Sequence, residues 1–412
     1  MPLDKMVILD IPAGRHLITG TIKIARSVFV RGQGSRTSVL AADGAATPIL
    51  LSVGPRVSER TTLAKPIKRG GRVLALSDSM GIWKGYGCSE LLIRDESQVW
   101  PHDPRDYVFK GELNCGELIL GDRVRLREPA RDDYTSGNTV EIWRPSEVFI
   151  RGVGLEFEKA VLHTKAVAIT GASPVRISDV AIARTGRVGI WVEHSSNVQV
   201  EDSQFSDGFP MDCDTCYGIQ TYGCQDVTVR DNHIFGYRRG VDISGTLPSR
   251  RVVVSGNAVV AESDTSRAAS GLGTHGSAEG VIFSNNEIHG GIVGLMLRGD
   301  HILVENNAFI DPEWSGVYLS SGGTHYVINN ELGGWRTSGV LTNRGVEFNV
   351  PVHHELLQVE DNRVTAKVGV RLSQTPSRVT IRGNQFDSGG DTPVVLKSGV
   401  KVPDQAVIEY EW

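Results

Sequence analysis

Apolar and polar residues alternate in short runs over most of this chain, and the runs recur. One pattern is Gly, apolar, any residue, then usually apolar. It reads GIWV from 189, GIQT from 218, GVDI from 240, GLGT from 271, GLML from 294, GVYL from 316, GVLT from 339 and GVRL from 369, and PVVL from 393 closes the series. Its eight separations lie between 22 and 31 residues. A second pattern alternates with the first: a polar residue, usually Asn, two positions before an apolar one. Its members are Asn232, Asn257, Asn286, Asn307, Asn330, Asn362 and Asn384, with Ser203 of DSQF as an earlier one.

Alternation over four or five residues marks a strand whose successive side chains point to opposite faces. A repeat of this length signals a solenoid, propeller or array. No intervening stretch keeps a helical period, and a propeller blade needs four strands in about 40 to 45 residues. The pattern therefore predicts an all-β chain wound as a right-handed parallel β-helix, one coil per repeat, with rungs about 4.8 Å apart. The asparagines are expected at a tight bend, their amides bonded to one another and to turn backbone, at positions that tolerate the left-handed conformation. That makes them structural.

The rhythm also divides the chain. Residues 1–68, with VILDIPAGRHLITGTIKIARSVFVRGQG, are expected to form opening coils. Residues 69–143 break the period with hairpin-like runs and the turn sequences SGN and PARDD, and are expected to form a small β-rich insertion. The main β-helix resumes at 144 and runs to 400, and 401–412 is expected to be a cap or contact strand.

If the second and fourth residues of each Gly-led run face inward, the third and fifth face outward. The third-position column then reads Trp191, Gln220, Asp242, Gly273, Met296, Tyr318, Leu341, Arg371. The fifth-position column reads Glu193, Tyr222, Ser244, His275, Arg298, Ser320, Asn343, Ser373. His275 is thereby expected one rung from Ser244 and from Arg298, near Asp242 and Tyr318, with Gly273 leaving a gap where a ligand could approach the backbone. Trp191, Tyr222 and Tyr318 offer flat apolar faces suited to sugar rings, with Gln220 beside them. Extra residues at 206–216, 261–270 and 343–355 are expected to rise as groove walls. Asp207, Asp212 and Asp214 on the first of these could bind Ca2+ or act as acids, or be solvated turn residues.

Bulk properties narrow the partners. The 412 residues carry a formal net charge of −5, which lacks the basic excess of a nucleic-acid-binding surface. No apolar run approaches the roughly 20 residues that cross a bilayer, and the N-terminus shows no signal peptide. The five cysteines, Cys88, Cys115, Cys213, Cys216 and Cys224, are too few and uneven for a disulfide scaffold. Cys213 and Cys216 have metal-type spacing but no second ligand pair nearby. Buried or loop thiols are the expectation.

The coil rhythm resembles the right-handed β-helix proteins of the pectate-lyase-like superfamily, and more closely the phage tailspike and preneck-appendage type. The resemblance rests on VLDIPAGRHLITGTIKIARSVFVRGQG, on GGRVLALSDS with YVFKGELNCGEL and NTVEIW, and on GYRRGVDIS through VVVSGNAVV to GTHGSAEGVIFSNNEIHGGIVGLMLRG. It implies a homotrimer in a virion tail, working outside the cell with other tail proteins, that binds and often cleaves bacterial surface polysaccharide. Arg238–Arg239 stands where the resemblance leads one to expect Arg-His, and Gly276 where a Glu often follows the histidine. The resemblance leads one to expect an opening helix ahead of VILDIPAG, and MPLDKM is not expected to form one.

Three activities fit this reading. A glycosidase would need two carboxylates, such as Asp242 with Glu193 or with an acid of the 206–214 loop. A lyase would use His275 or Arg239 as base, with Arg298 or Ca2+ neutralising a uronate carboxylate. An epimerase would change stereochemistry without shortening the polymer. The alternative is a receptor-binding or structural virion protein that uses the same face without catalysis.

Overall fold

In a computed structural model the chain is a right-handed parallel β-helix with one antiparallel module inserted near its start. The structure describes residues 6–44, 46–55, 58–82, 88–101, 107–159, 161–208, 215–261, 269–320, 322–333, 344–348, 355–373, 376–387, 394–396 and 406–411. A typical coil has three strands, for example Ser249–Ser255, Ala258–Ala261 and Ser270–Thr274. The first two kinds of strand stack into one large bent sheet, and the third kind forms a twelve-stranded parallel sheet. Pairing between coils is parallel and in register, so residues 20 to 30 apart in sequence become neighbours, as in Val227↔Val252↔Val281↔Ile302. The inward residues of all three kinds of strand form one continuous apolar core along the helix.

The Asn column lies at the bend between the first two strands of each coil. Asn232, Asn257, Asn286, Asn307, Asn330 and Asn362 each donate from Nδ2 to Oδ1 of the next asparagine at 2.9 to 3.0 Å. All are buried. The left-handed residue of the bend is not the asparagine but the one before it: Asp231, Gly256, Asn285, Asn306, Asn329, Asp361 and Gly383 all have φ between 54° and 65°. The buried amide needs ordinary backbone to aim both its ends along the stack.

The inserted module begins at Ser58–Thr62, ahead of the expected 69, because that strand pairs with Thr139–Trp143 in the six-stranded antiparallel sheet. It leaves the coils after Ile49–Val53, yet the rungs on either side still pair directly, Val53 with Ile169 and Arg31 with Arg151. The module has its own core around Leu74, Leu91, Ile93, Val124 and Val140. A second apolar contact, made by Leu92, Leu113 and Trp143 against Leu247, fastens it to the β-helix. A polar seam continues that contact. Arg250 donates to Gly111 O, to Asp132 and to Glu279, and Ser196 donates to Glu90. Burial pushes the Glu90 carboxyl up to about 7, against the hydrogen bond from Ser196.

The cysteines depart from the expectation of free thiols. Cys88 and Cys115 form a disulfide, and Cys216 is disulfide-bonded. Only Cys224 among the described residues is a buried free thiol, its thiol pushed up to about 12 by burial. At the far end Val407–Glu411 pairs in parallel with Arg378–Phe386.

Candidate functional site

The twelve-stranded sheet carries the columns read from the sequence. Ile190, Ile219, Val241, Leu272, Leu295 and Val317 face the core and are fully buried. The outward positions run Trp191↔Gln220↔Asp242↔Gly273↔Met296↔Tyr318 in continuous register. The second column runs Glu193↔Tyr222↔Ser244, and His275 extends it by donating its backbone N–H to Ile243 O. One rung differs. The neighbour of Tyr318 is Glu347, not Leu341, and Arg371 follows. Two Gly-led runs six residues apart, GVLT and GVEF, compete for this rung, and the second takes it in the strand Arg344–Phe348. Leu341 and Asn343 lie outside the described residues.

Outward direction did not translate into exposure at the centre of this face. Asp242 is 0% exposed, Arg239 3% and Gln220 6%. The side chains lie down on one another. Gln220 Nε2 donates to Asp242 Oδ2 at 2.7 Å and to Ser244 Oγ at 3.0 Å. Arg239 Nη1 donates to Asp242 Oδ1 at 2.5 Å, and its side chain fills the space above Gly273, where a Cβ would stand 3.1 Å from Arg239 Nε. The expected gap at Gly273 is therefore occupied. Arg239 Nη2 and Arg298 Nη2 both approach the Met296 sulfur, and Arg298 Nε donates to Ser320 Oγ at 2.9 Å.

Solvent reaches this cluster at His275, 16% of whose side chain is exposed, and at half-buried Arg298. His275 Nε2 stands 3.3 Å from Asp242 Oδ1 and 3.2 Å from Arg239 Nη1. A proton on Nε2 would meet the carboxylate, and a lone pair there would accept from the guanidinium. Both protonation states of the ring are thus accommodated. Burial alone would raise the Asp242 carboxyl, but the neighbouring His275 and Arg239 outweigh it and hold it well below the usual carboxylate range. The nearby Tyr217 phenol is pushed up by burial and then by Asp242. A buried Asp242 that is ionised at neutral pH, with both oxygens engaged, is neither a proton donor nor a group that touches a ligand. It orients Arg239 and His275. The pairing of Asp242 with Glu193 as two exposed catalytic carboxyls does not survive this geometry.

Aromatic pairs stand on both sides of the cluster. Trp191 stacks on Tyr222 at 5.1 Å between ring centres, and Tyr318 packs with Trp314 at 5.1 Å. Lys165 Nζ lies 3.5 Å from the centre of the Trp191 ring, and the Arg187 guanidinium lies 5.4 Å from it. Trp191 and Tyr318 are five rungs apart, about 24 Å along the ladder. The turn after His275 is held from the inserted module, where Trp100 Nε1 donates to Gly276 O at 2.9 Å. Sequence reasoning missed Lys165, Arg187, Tyr217, Trp314 and Trp100. Lys165 lies on a strand without the Gly of the repeat, Tyr217 directly precedes that Gly, Arg187 and Trp314 stand two places before it, and nothing in the sequence ties Trp100 to a residue 176 positions on.

Asp207 is exposed beside Gly236 and Tyr237, at the corner leading out of the large sheet. Asp212 and Asp214 lie outside the described residues. A depression of about 480 Å³ occurs on the outer face of the large sheet, lined by Ala183, Phe205, Phe235 and Val260. It is apolar, and only His233 brings a titratable group to it.

Residues 130–259 and 247–402 match the family model described as right handed beta helix region. No curated protein matches the chain in sequence. Among solved structures it is similar to the tailspike protein gp49 from Pseudomonas phage LKA1, with TM-score 0.66 and 16% identity over 97% of this chain and 74% of that one. It is similar to the Pseudomonas phage phi297 tailspike gp61, with TM-score 0.68 and 15% identity over 95% and 67%. A third is the gp54 tailspike of Acinetobacter baumannii bacteriophage AP22, solved in complex with A. baumannii capsular saccharide. There the TM-score is 0.60 and the identity 13% over 96% and 74%. At these identities the likeness is one of fold.

Proposed function

Since the chain belongs to the right handed beta helix family, we propose that it is a tailspike-type protein that binds bacterial surface polysaccharide along the outer face of the twelve-stranded sheet and cleaves it there. The carrying observation is the cluster of Arg239, Asp242, His275 and Arg298 set between two aromatic pairs. Aromatic faces stack on sugar rings, and the cluster between them presents the His275 ring and the Arg298 side chain at its solvent-reached edge.

This arrangement favours elimination over hydrolysis. In a uronate-containing polymer His275, its ring turned so that Nδ1 leaves the buried position it holds in this structure, takes the proton from the carbon beside the carboxylate. That electron pair forms the carbon–carbon double bond, the glycosidic carbon–oxygen bond breaks, and the leaving oxygen takes a proton from water. Buried Asp242 stabilises the imidazolium that forms, as an ionised carboxylate behind a histidine does elsewhere. Arg298 faces the charge that develops on the carboxylate. We place the protein in a virion tail as a homotrimer with other tail proteins, following the resemblance to tailspikes.

The test is incubation with purified bacterial surface polysaccharides, followed by sizing of the products and by ultraviolet absorbance of an unsaturated uronate. Wild-type protein is expected to shorten its polymer with a rise in absorbance, and His275→Ala to lose at least about a thousandfold in turnover, in the range for removing a positioned proton-transfer group, while still binding. Shortening without absorbance would assign a hydrolase; unchanged length with binding would assign an epimerase if the recovered sugars have changed stereochemistry, and a receptor-binding role if they have not. Full turnover by His275→Ala would remove the histidine from the mechanism.

A further inference from the structure

One end of the proposed glycan face carries a charge imbalance. Lys165 begins the strand Lys165–Thr170, Arg187 directly precedes Val188–Glu193, and both reach the ring of Trp191. Among the described residues neither cation has a carboxylate within ion-pair distance, and the buried Arg187 Nε has no hydrogen-bond partner. Arg184, Arg230, Arg250 and Arg251, by contrast, are each paired with an acid. Glu193, on the same strand, acts on Lys165 through space only.

Holding two like charges half-buried on one indole costs free energy that an anion would return. The strain is visible on Lys165, whose amine is pushed down to about 8 by burial and then by Arg187, against the pull of Glu193. The site is also placed to be used. Trp191 and Tyr222 offer a stacked platform, and Trp191 lies on the same column as Asp242, two rungs or about 10 Å away. A polymer whose scissile bond sits at His275 would pass over this platform.

We propose that Lys165 and Arg187, gathered on the Trp191–Tyr222 platform, form a subsite for an acidic sugar unit, one that carries a carboxylate or a phosphate. The inference rests on the glycan-binding reading and adds a second recognition point, an acidic unit held two rungs from the reacting one. The sugar ring stacks on the aromatic platform while its anionic group takes the place of the missing counter-charge. Arg187 supplies a planar fork suited to either anion, and Lys165 a compact charge that becomes fully protonated once the anion arrives.

The experiment is an array of purified bacterial surface polysaccharides, uronate-containing, phosphate-containing and neutral, probed with the full chain and with the double variant Lys165→Met, Arg187→Met. Methionine keeps an apolar stem against Trp191, and circular dichroism checks the fold. Bound polymers are expected to be acidic, and the double variant to bind them about tenfold more weakly or worse, in the range for a lost charge-assisted contact. Reduction of the carboxyls, or removal of the phosphates, of a bound polymer is expected to abolish the difference and identifies which anion the site takes. Binding confined to neutral polymers, or equal affinity of wild type and double variant for acidic ones, would overturn the subsite and leave the glycan face standing. Binding of none of the polymers would overturn the glycan face and the subsite with it.

Discussion

Replacing Asp242 by alanine is expected to destabilise the central coils by about 3 to 5 kcal/mol, the range for removing one partner of a buried ion pair. The carboxylate accepts from Arg239 and Gln220 and stands beside His275, and it has no access to water. The substitution takes the Asp242 carboxylate away from the Arg239 guanidinium, which is 3% exposed. Asp242→Asn should cost less, since the amide keeps the volume. The double variant Arg239→Met, Asp242→Leu should recover most of the loss, because no charge is then left buried. The pH dependence has a definite sign. The folded-state pKa is depressed, so Asp242 contributes stability that is fully present above its unfolded value near 3.9 and is lost as pH falls through the lower folded value. Urea denaturation of the three variants at neutral and at low pH measures this. Equal stability of wild type and Asp242→Ala at neutral pH would contradict the assignment.

The second large effect is expected at the asparagine ladder. Asn307 Oδ1 accepts from the backbone N–H and the amide of Asn286, and its Nδ2 donates to Phe283 O, Glu305 O and Asn330 Oδ1. Alanine there removes all five bonds and leaves buried partners unsatisfied in two neighbouring coils. A loss of about 3 to 5 kcal/mol follows from leaving several such groups unmet. Asn307→Asp should be as damaging, since a carboxylate cannot donate to the three acceptors. Ser203→Ala, at the start of the column, removes only the bonds of one hydroxyl to Glu201 O and from Val180 N and should cost about 1 kcal/mol. Because a solenoid's stability is a sum over repeats and their interfaces, hydrogen exchange should show the loss concentrated in the coils around residue 307. Uniform loosening along the chain would contradict a local ladder.

The two effects mark what the sequence could and could not reveal. The ladder was legible because stacking converts a repeat in sequence into a column in space. Inward and outward faces were legible for the same reason, and they brought Trp191, Gln220, Asp242 and His275 onto one wall. Depth was not legible. Alternation gives the direction of Asp242 but not the fact that Gln220 and Arg239 fold over it. Arg239 lies across the next coil, onto a glycine that the sequence marked only as open space. Contacts made by the inserted module were also hidden, because Trp100 and Arg250 act through a docking geometry that no repeat encodes. Where two matches to the repeat lay six residues apart, at 339 and 345, pattern alone could not choose between them.

The central claim is that the polysaccharide lies on the outer face of the twelve-stranded sheet. Hydroxyl-radical footprinting of the protein with and without a polysaccharide it binds tests this directly. The account predicts reduced oxidation of Trp191, Tyr222, Trp314 and Tyr318, with Phe235 on the opposite sheet unchanged. Protection of Phe235 and Val260, with Trp191 and Tyr318 oxidised as in the free protein, would place the ligand in the apolar depression instead and contradict it.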